Sequence, residues 1–111
     1  MRHKPLAPET LRVVAHRFKV LAEPARLAVL NVLRAGPLNV SELIEATGLN
    51  QANLSKHLQL LHAAGFVTRQ RDGLFVIYSI ADASVFTLCD IMCGQIEREA
   101  TAQVKRLRLA R

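Results

Sequence analysis

Apolar positions in the first third of the chain recur with a helical period. Between Pro8 and Ala22 they fall at Leu11, Val14, Ala15, Phe18, Leu21 and Ala22, the spacing of one helix face. Glu23-Pro24 interrupts the run. Proline fits a first helical turn, so a second helix is expected from there to Ala35, with Leu27, Leu30, Val32 and Leu33 as its apolar set and Gly36-Pro37 closing it. A third helix opens at Asn39-Val40-Ser41-Glu42, where Asn39 can accept from the orphan amides while Glu42 reaches back. It stops at Thr47-Gly48, since glycine takes the left-handed conformation without strain. Asn50 then caps a fourth helix, Gln51 to Ala64, which Gly65 ends.

Beyond Gly65 the period changes. Phe66 to Arg71 and Leu74 to Ile80 are rich in β-branched and aromatic residues, and Asp72-Gly73 between them signals a two-residue hairpin turn. Asp82 is placed to cap a long last helix over residues 83–108. The expected fold is mainly α with a small β-hairpin: four helices, two strands and a fifth helix, in one domain spanning 1–111. Its parts are a flexible N-terminus (1–8), a helix-turn-helix (39–64), a hairpin wing (66–80) and a C-terminal helix (82–108). A short helix, a glycine turn, a second helix and an immediate hairpin make a winged helix-turn-helix.

Charge turns this outline toward a partner. Fifteen Lys and Arg against nine Asp and Glu leave a net charge of +6, a balance that favours polyanions, nucleic acid first. An anionic membrane surface is the rival. Membrane-surface helices set bulky apolar residues against one basic face, whereas the basic residues here are scattered and Trp is absent. No apolar run approaches the roughly 18 residues of a membrane span. No apolar core of a secretory signal follows MRHKPLAPET, so a cytoplasmic location is expected. In that reducing compartment the two cysteines are expected to be thiols or ligands rather than a permanent disulfide.

The N-terminal turns of a second helix in such a motif enter the major groove, where side chains meet base edges. On the helix Gln51 to Ala64, Leu54, Leu58 and Leu61 form the inward face, leaving Gln51, Asn53, Ser55 and Lys56 exposed. Gln and Asn pair bidentately with adenine, and Ser and Lys suit phosphate or a base edge. Arg69 and Arg71, beside the hairpin turn, reach toward the adjacent backbone or minor groove. Any one of these reads equally well as an ordinary solvated residue; together, beside a basic wing, they favour DNA. His57 is read as orienting a neighbour or filling a half-buried position, and His3, His16 and His62 share no ligand spacing.

The stretches FKVLAEPARLAVLNVL and VSELIEATGLNQANLSKHLQLLHAAGFVTRQRDGLFVIYSI, with the helix that follows, resemble the ArsR/SmtB family of bacterial winged-helix repressors over roughly residues 11 to 100. The most specific pieces are Leu21-Ala22-Glu23-Pro24-Ala25-Arg26-Leu27, Ser55-Lys56-His57-Leu58, and Gly65 with the hairpin to Tyr78. The resemblance implies a homodimer formed by the first and last helices. It also implies an inverted-repeat operator in double-stranded DNA, repression, and release by an ion or by cysteine oxidation. Carried over by position, most of the family's sensing sites fail. Asn39 and Ser41 stand where the best-known arsenic sensors have cysteines. Asp82 matches the first ligand of the zinc sensors, but Ser84, Gln95 and Arg98 replace the others. Asn31 and Glu97 occupy the positions of the persulfide-sensing pair.

Cys89 and Cys93 are the soft ligands that remain, one helical turn apart in LCDIMCGQI. Val85, Leu88, Cys89, Met92, Ile96 and Leu107 share one helical stripe, with Cys93 toward its edge. Two thiolates at this spacing, with Cβ atoms about 5–6 Å apart, can clip one large soft ion such as As(III), Sb(III) or Hg(II). A complete site needs ligands from a second copy, and oxidation is the other sensing chemistry. Alternatively both cysteines are simply small apolar residues in a packed stripe, and the protein is a DNA-binding dimer with no effector. A thiol oxidoreductase is disfavoured, because those enzymes use Cys-x-x-Cys at a helix N-terminus. No other arrangement of catalytic groups stands out, so the chain is read as no enzyme.

Overall fold

The computed structural model describes residues 4–109 of the chain. Residues 4–7 carry no regular structure and Pro8 is already helical; the rest of the expected flexible N-terminus, residues 1–3, lies outside the described residues. The elements run α1 (Pro8–Leu21), α2 (Pro24–Leu33), β1 (Leu38–Asn39), α3 (Val40–Thr47), α4 (Gln51–Ala63), β2 (Val67–Asp72), β3 (Phe75–Ile80) and α5 (Ser84–Leu109). They fall into two compact units, Met1–Ala81 and Asp82–Arg111.

Local chemistry sets most of the boundaries in the first unit. Glu23 caps α2, its carboxylate accepting from the Ala25 amide, and Pro24 takes the first helical position. Asn39 and Glu42 form the reciprocal capping box: each side chain accepts from the other's backbone amide at 2.9 Å. Gly48 closes α3 with φ 74°, and its amide donates to Ile44. Asn50 caps α4 through the Asn53 amide. Helix α2 ends at Leu33, two residues before the expected Ala35, because Arg34 and Ala35 already turn toward Gly36.

The core of this unit is Val20 of α1, Val29, Leu30 and Leu33 of α2, Leu43 of α3, Leu54, Leu58 and Leu61 of α4, with Val67 and Tyr78 from the sheet. Helix α2 packs against α1, α3 and α4, and β2 lies against α4. Complete burial of a leucine contributes about 1.5–3 kcal/mol, so the three α4 leucines are the main attachment of that helix.

Two sequence expectations need correction at the wing. First, it is a three-stranded antiparallel sheet, order β1-β3-β2, rather than a two-stranded hairpin. Leu38 and Asn39 pair with Tyr78 and Ile77, a contact between segments some forty residues apart that no local period could signal. Second, the turn is Gly73-Leu74, not Asp72-Gly73, since Asp72 pairs with Phe75 in the ladder. Gly73 has φ 62° and Leu74 keeps negative φ, so the left-handed position is the first of the loop alone. That is the pattern of a type II′ turn, which needs positive φ only there; a type I′ turn would put Leu74 at positive φ as well.

The second unit is α5 with its entry. The Asp82 carboxylate accepts from the Ser84 amide at 2.9 Å, as expected of the residue that opens the helix. Val85 and Phe86 are buried, whereas Leu88, Ile91, Met92, Ile96, Val104 and Leu107 are exposed. No helix among the described residues is long and apolar enough to cross a membrane.

Candidate nucleic-acid interface

Burial of Leu54, Leu58 and Leu61 fixes which side of α4 faces out. At about 100° per residue, Lys56 lies opposite the leucines with Ser55 and Asn53 at the two edges of the exposed arc, while Gln51 falls on the leucine side at the first position of the helix. All four are exposed, in the first two turns of the helix. The structure thus brings the four sequence-predicted residues together on one helix end. It adds one the sequence reading passed over: Gln59 is exposed and lies three and four residues beyond Lys56 and Ser55, on the same arc. Its angular position was available from the sequence once Leu54, Leu58 and Leu61 were taken as the inner face.

The wing orders its side chains by register. Val67, Arg69 and Arg71 oppose Ile80, Tyr78 and Val76, so these six share one face of the sheet. Val67 and Tyr78, on that face, are buried against the helices; Arg69 and Arg71 are exposed. The other face carries Thr68, Gln70 and Asp72. The two arginines therefore project from the side of the sheet that packs against the helix-turn-helix, while the acidic Asp72 points the opposite way. Leu74, at the tip, is 99% exposed.

His57 departs from the exposed set. It is half-buried, and its Nδ1 accepts from Arg26 Nη1 at 3.3 Å. Arg26 Nε donates to the Val20 carbonyl at 2.6 Å. The expectation that His57 orients a neighbour or fills a half-buried position matches this placement, although its partner lies 31 residues away and had no local signal.

Cys89 is half-buried and Cys93 exposed, both free thiols on α5. Among the described residues, no three His, Cys, Asp or Glu side chains converge to hold a metal ion. Two thiols on one helix are an incomplete donor set: structural zinc takes four ligands. Within a single chain the residues do not fit a closed metal centre. Asp82 is engaged with Ser84, whose backbone amide, and then its side chain, hold the carboxyl below its ordinary range. Gly94 sits beside the pair, and a Cβ there would lie 3.3 Å from Arg98 Nη1.

A helix-turn-helix with a polar exposed helix end, a three-stranded wing bearing two arginines, and a positive net charge define a winged helix-turn-helix DNA-binding protein. Residues 23–69 match the model of the bacterial regulatory protein, arsR family. The chain is 39% identical over 92 residues to the HTH-type transcriptional regulator NmtR of Mycobacterium tuberculosis, covering 80% of this chain and 77% of that one. It is also similar to the probable mercury resistance operon repressor of Streptomyces lividans, 36% identical over 67% of this chain and 59% of that one. Among solved structures it is similar to the homodimeric winged helix-turn-helix DNA-binding domain of a possible ArsR-family transcriptional regulator from Mycobacterium bovis. That match has a TM-score of 0.74 and 29% identity, covering 87% of this chain and 95% of that one. The chain belongs to the ArsR family and is a DNA-binding transcriptional regulator, not an enzyme.

Proposed function

We propose that the protein is a homodimeric repressor whose two α4 helices read an inverted-repeat operator, and that a thiophilic ion or an oxidant releases it through Cys89 and Cys93. The observation that carries the first part is the exposed N-terminal end of α4, which presents Gln51, Asn53, Ser55 and Lys56 within its first two turns. Gln51 and Asn53 meet base edges, Ser55 and Lys56 meet phosphates or bases, and Arg69 and Arg71 grip the backbone or minor groove beside them. Repression then follows from occupancy of a promoter.

Dimerisation is supported within each unit separately. Helix α1 leaves Leu11 and Phe18 about half exposed, and α5 does the same with Leu88, Met92 and Ile96. Exposed apolar side chains in such rows mark a surface that a partner covers. The homodimeric state of the Mycobacterium bovis domain points to a second copy as that partner.

The inducer reading rests on thiol chemistry. Two free thiols at i and i+4 suit As(III), Sb(III) or Hg(II), with the missing ligands supplied by the second copy. The name of the Streptomyces lividans relative places mercury among the agents to test. In the redox version two thiols lose two protons and two electrons to an oxidant such as diamide and form one disulfide. Half-burial of Cys89 on the apolar stripe favours the competing reading, in which the cysteines only pack.

One titration separates these. Reduced wild type and the Cys89→Ser/Cys93→Ser variant are bound to their selected operator, and As(III), Sb(III), Hg(II), Zn(II) or diamide is added. Release of wild type alone names the inducer; release of neither leaves an ArsR-family regulator without a thiol effector.

A further inference from the structure

Helix α4 is attached to the unit mainly through Leu54, Leu58 and Leu61, which are buried in the core. Such contacts are strong but non-directional, and they tolerate a small roll or slide of the helix. Base-edge hydrogen bonds do not, because they fail over a few tenths of an ångström and a few tens of degrees. Reading a sequence with α4 therefore requires a directional restraint on the helix.

We propose that Arg26 is that restraint: a positioning residue for DNA recognition that locks α4 to the end of α1 through His57. Three elements meet at one guanidinium. Arg26 stands in the first turn of α2, its Nε donates to the Val20 carbonyl at 2.6 Å, and its Nη1 donates to His57 Nδ1 at 3.3 Å. Val20 lies in the last turn of α1, where carbonyls lack intrahelical partners, so Arg26 satisfies an acceptor the helix itself leaves open. His57 follows Lys56 directly and lies about 100° around the helix from it, on the edge of the inner face. A pull on the imidazole thus sets the angle at which Lys56, Ser55 and Gln59 leave the helix.

The chemistry of the two side chains makes the restraint specific. Guanidinium is donor-only and always charged, so His57 must offer a bare Nδ1 and carry its ring proton on Nε2. The planar fork addresses two acceptors in fixed directions, whereas a lysine ammonium presents all its donors from one nitrogen. Arg26→Lys keeps the charge and removes the geometry. His57→Leu keeps the apolar bulk and removes the acceptor, and His57→Gln supplies an amide carbonyl in its place.

The test starts from the duplex that wild type enriches from a random-sequence pool. Affinities for it and for a scrambled duplex of equal length are measured over a salt series, beside thermal melting of every variant. Arg26→Lys and His57→Leu are expected to lower the ratio of selected to scrambled affinity about tenfold or more, as loss of a charge-assisted bond would. Scrambled-duplex affinity and the salt slope should stay, and His57→Gln should recover most of the ratio. Lys56→Ala, by contrast, should flatten the salt slope. If a variant does not fold, ¹⁵N spectra of the wild-type His57 ring test the same bond, with the Nε2–H tautomer expected. An unchanged ratio in folded Arg26→Lys and His57→Leu overturns the proposal alone, as does a ring proton on Nδ1. A pool that yields no enriched duplex overturns sequence-specific reading and this proposal with it.

Discussion

Arg69 lies directly opposite Tyr78 in the β2–β3 ladder, so an exposed guanidinium and a buried ring share one face of the wing. Tyr78 and Val67 bury the base of that face against the helices, and Arg69 and Arg71 continue it outward. Two cations are thereby held on the side of the sheet adjoining α4 by the pleat alone.

The wing arginines are expected to act through phosphates. Arg71→Ala and Arg69→Ala should weaken binding to all duplexes alike and each reduce the salt slope by about one. Binding isotherms on selected and scrambled duplexes, at several salt concentrations, give both quantities. A loss confined to the selected duplex would mean base reading by the wing instead.

Gln51 and Asn53 should behave in the opposite way. Alanine at either position should cost about 1–3 kcal/mol on the selected duplex and little on a scrambled one, with the salt slope intact. Single base-pair substitutions in the selected duplex then show which position each side chain reads. Gln59→Ala belongs in the same series, since Gln59 is exposed on the arc between Ser55 and Lys56.

The capping box fixes stability rather than recognition. Asn39→Ala removes the acceptor for the Glu42 amide and should lower unfolding free energy by about 1 kcal/mol. Urea unfolding of Asn39→Ala, Glu42→Ala and the double variant gives the coupling between the two. Independent, additive losses would show that the reciprocal bonds do not act as a pair.

Asp82 gives α5 an acid-sensitive start. Its carboxyl is held below an aspartate's ordinary value of 3.8 by the Ser84 backbone amide and side chain. A depressed value means a contribution that is complete above the unfolded-state value and is lost as pH falls through the folded-state one. Helical signal followed from about pH 5 to about pH 2 should therefore lose, toward the acid end of that range, a component in wild type that Asp82→Asn lacks. Identical acid curves for the two proteins would remove Asp82 from the account.

Gly94 stands inside α5, where glycine costs up to about 1 kcal/mol relative to alanine. The Cβ of Gly94→Ala would meet only the mobile end of Arg98, at 3.3 Å, which can swing aside. The variant is expected to raise the thermal midpoint. A lower midpoint, with a weaker dimer in sedimentation, would instead place another backbone close to Gly94.

The elements of the fold were legible where their cause is local. Pro24, the Asn39–Glu42 pair, Gly48 and Asn50 act on neighbours within four residues, so periodicity and capping chemistry located α1 to α4 nearly to the residue. Fifteen basic residues and the exposed side of α4 pointed to DNA for the same reason: the leucine spacing at 54, 58 and 61 determines which residues cannot be inward.

Other features required the chain to be folded. β1 is two residues long and exists because Tyr78 and Ile77 come to meet it. The turn moved from Asp72-Gly73 to Gly73-Leu74, a shift of two in the pairing that leaves every side chain on its expected face. Sequence alone determined the helices, the charge and the faces, since these depend on spacing along the chain. Tertiary structure decided the third strand, the register of the wing, and the meeting of Val20, Arg26 and His57. Those depend on which distant groups a packed core brings within hydrogen-bond reach, and no spacing along the chain records it.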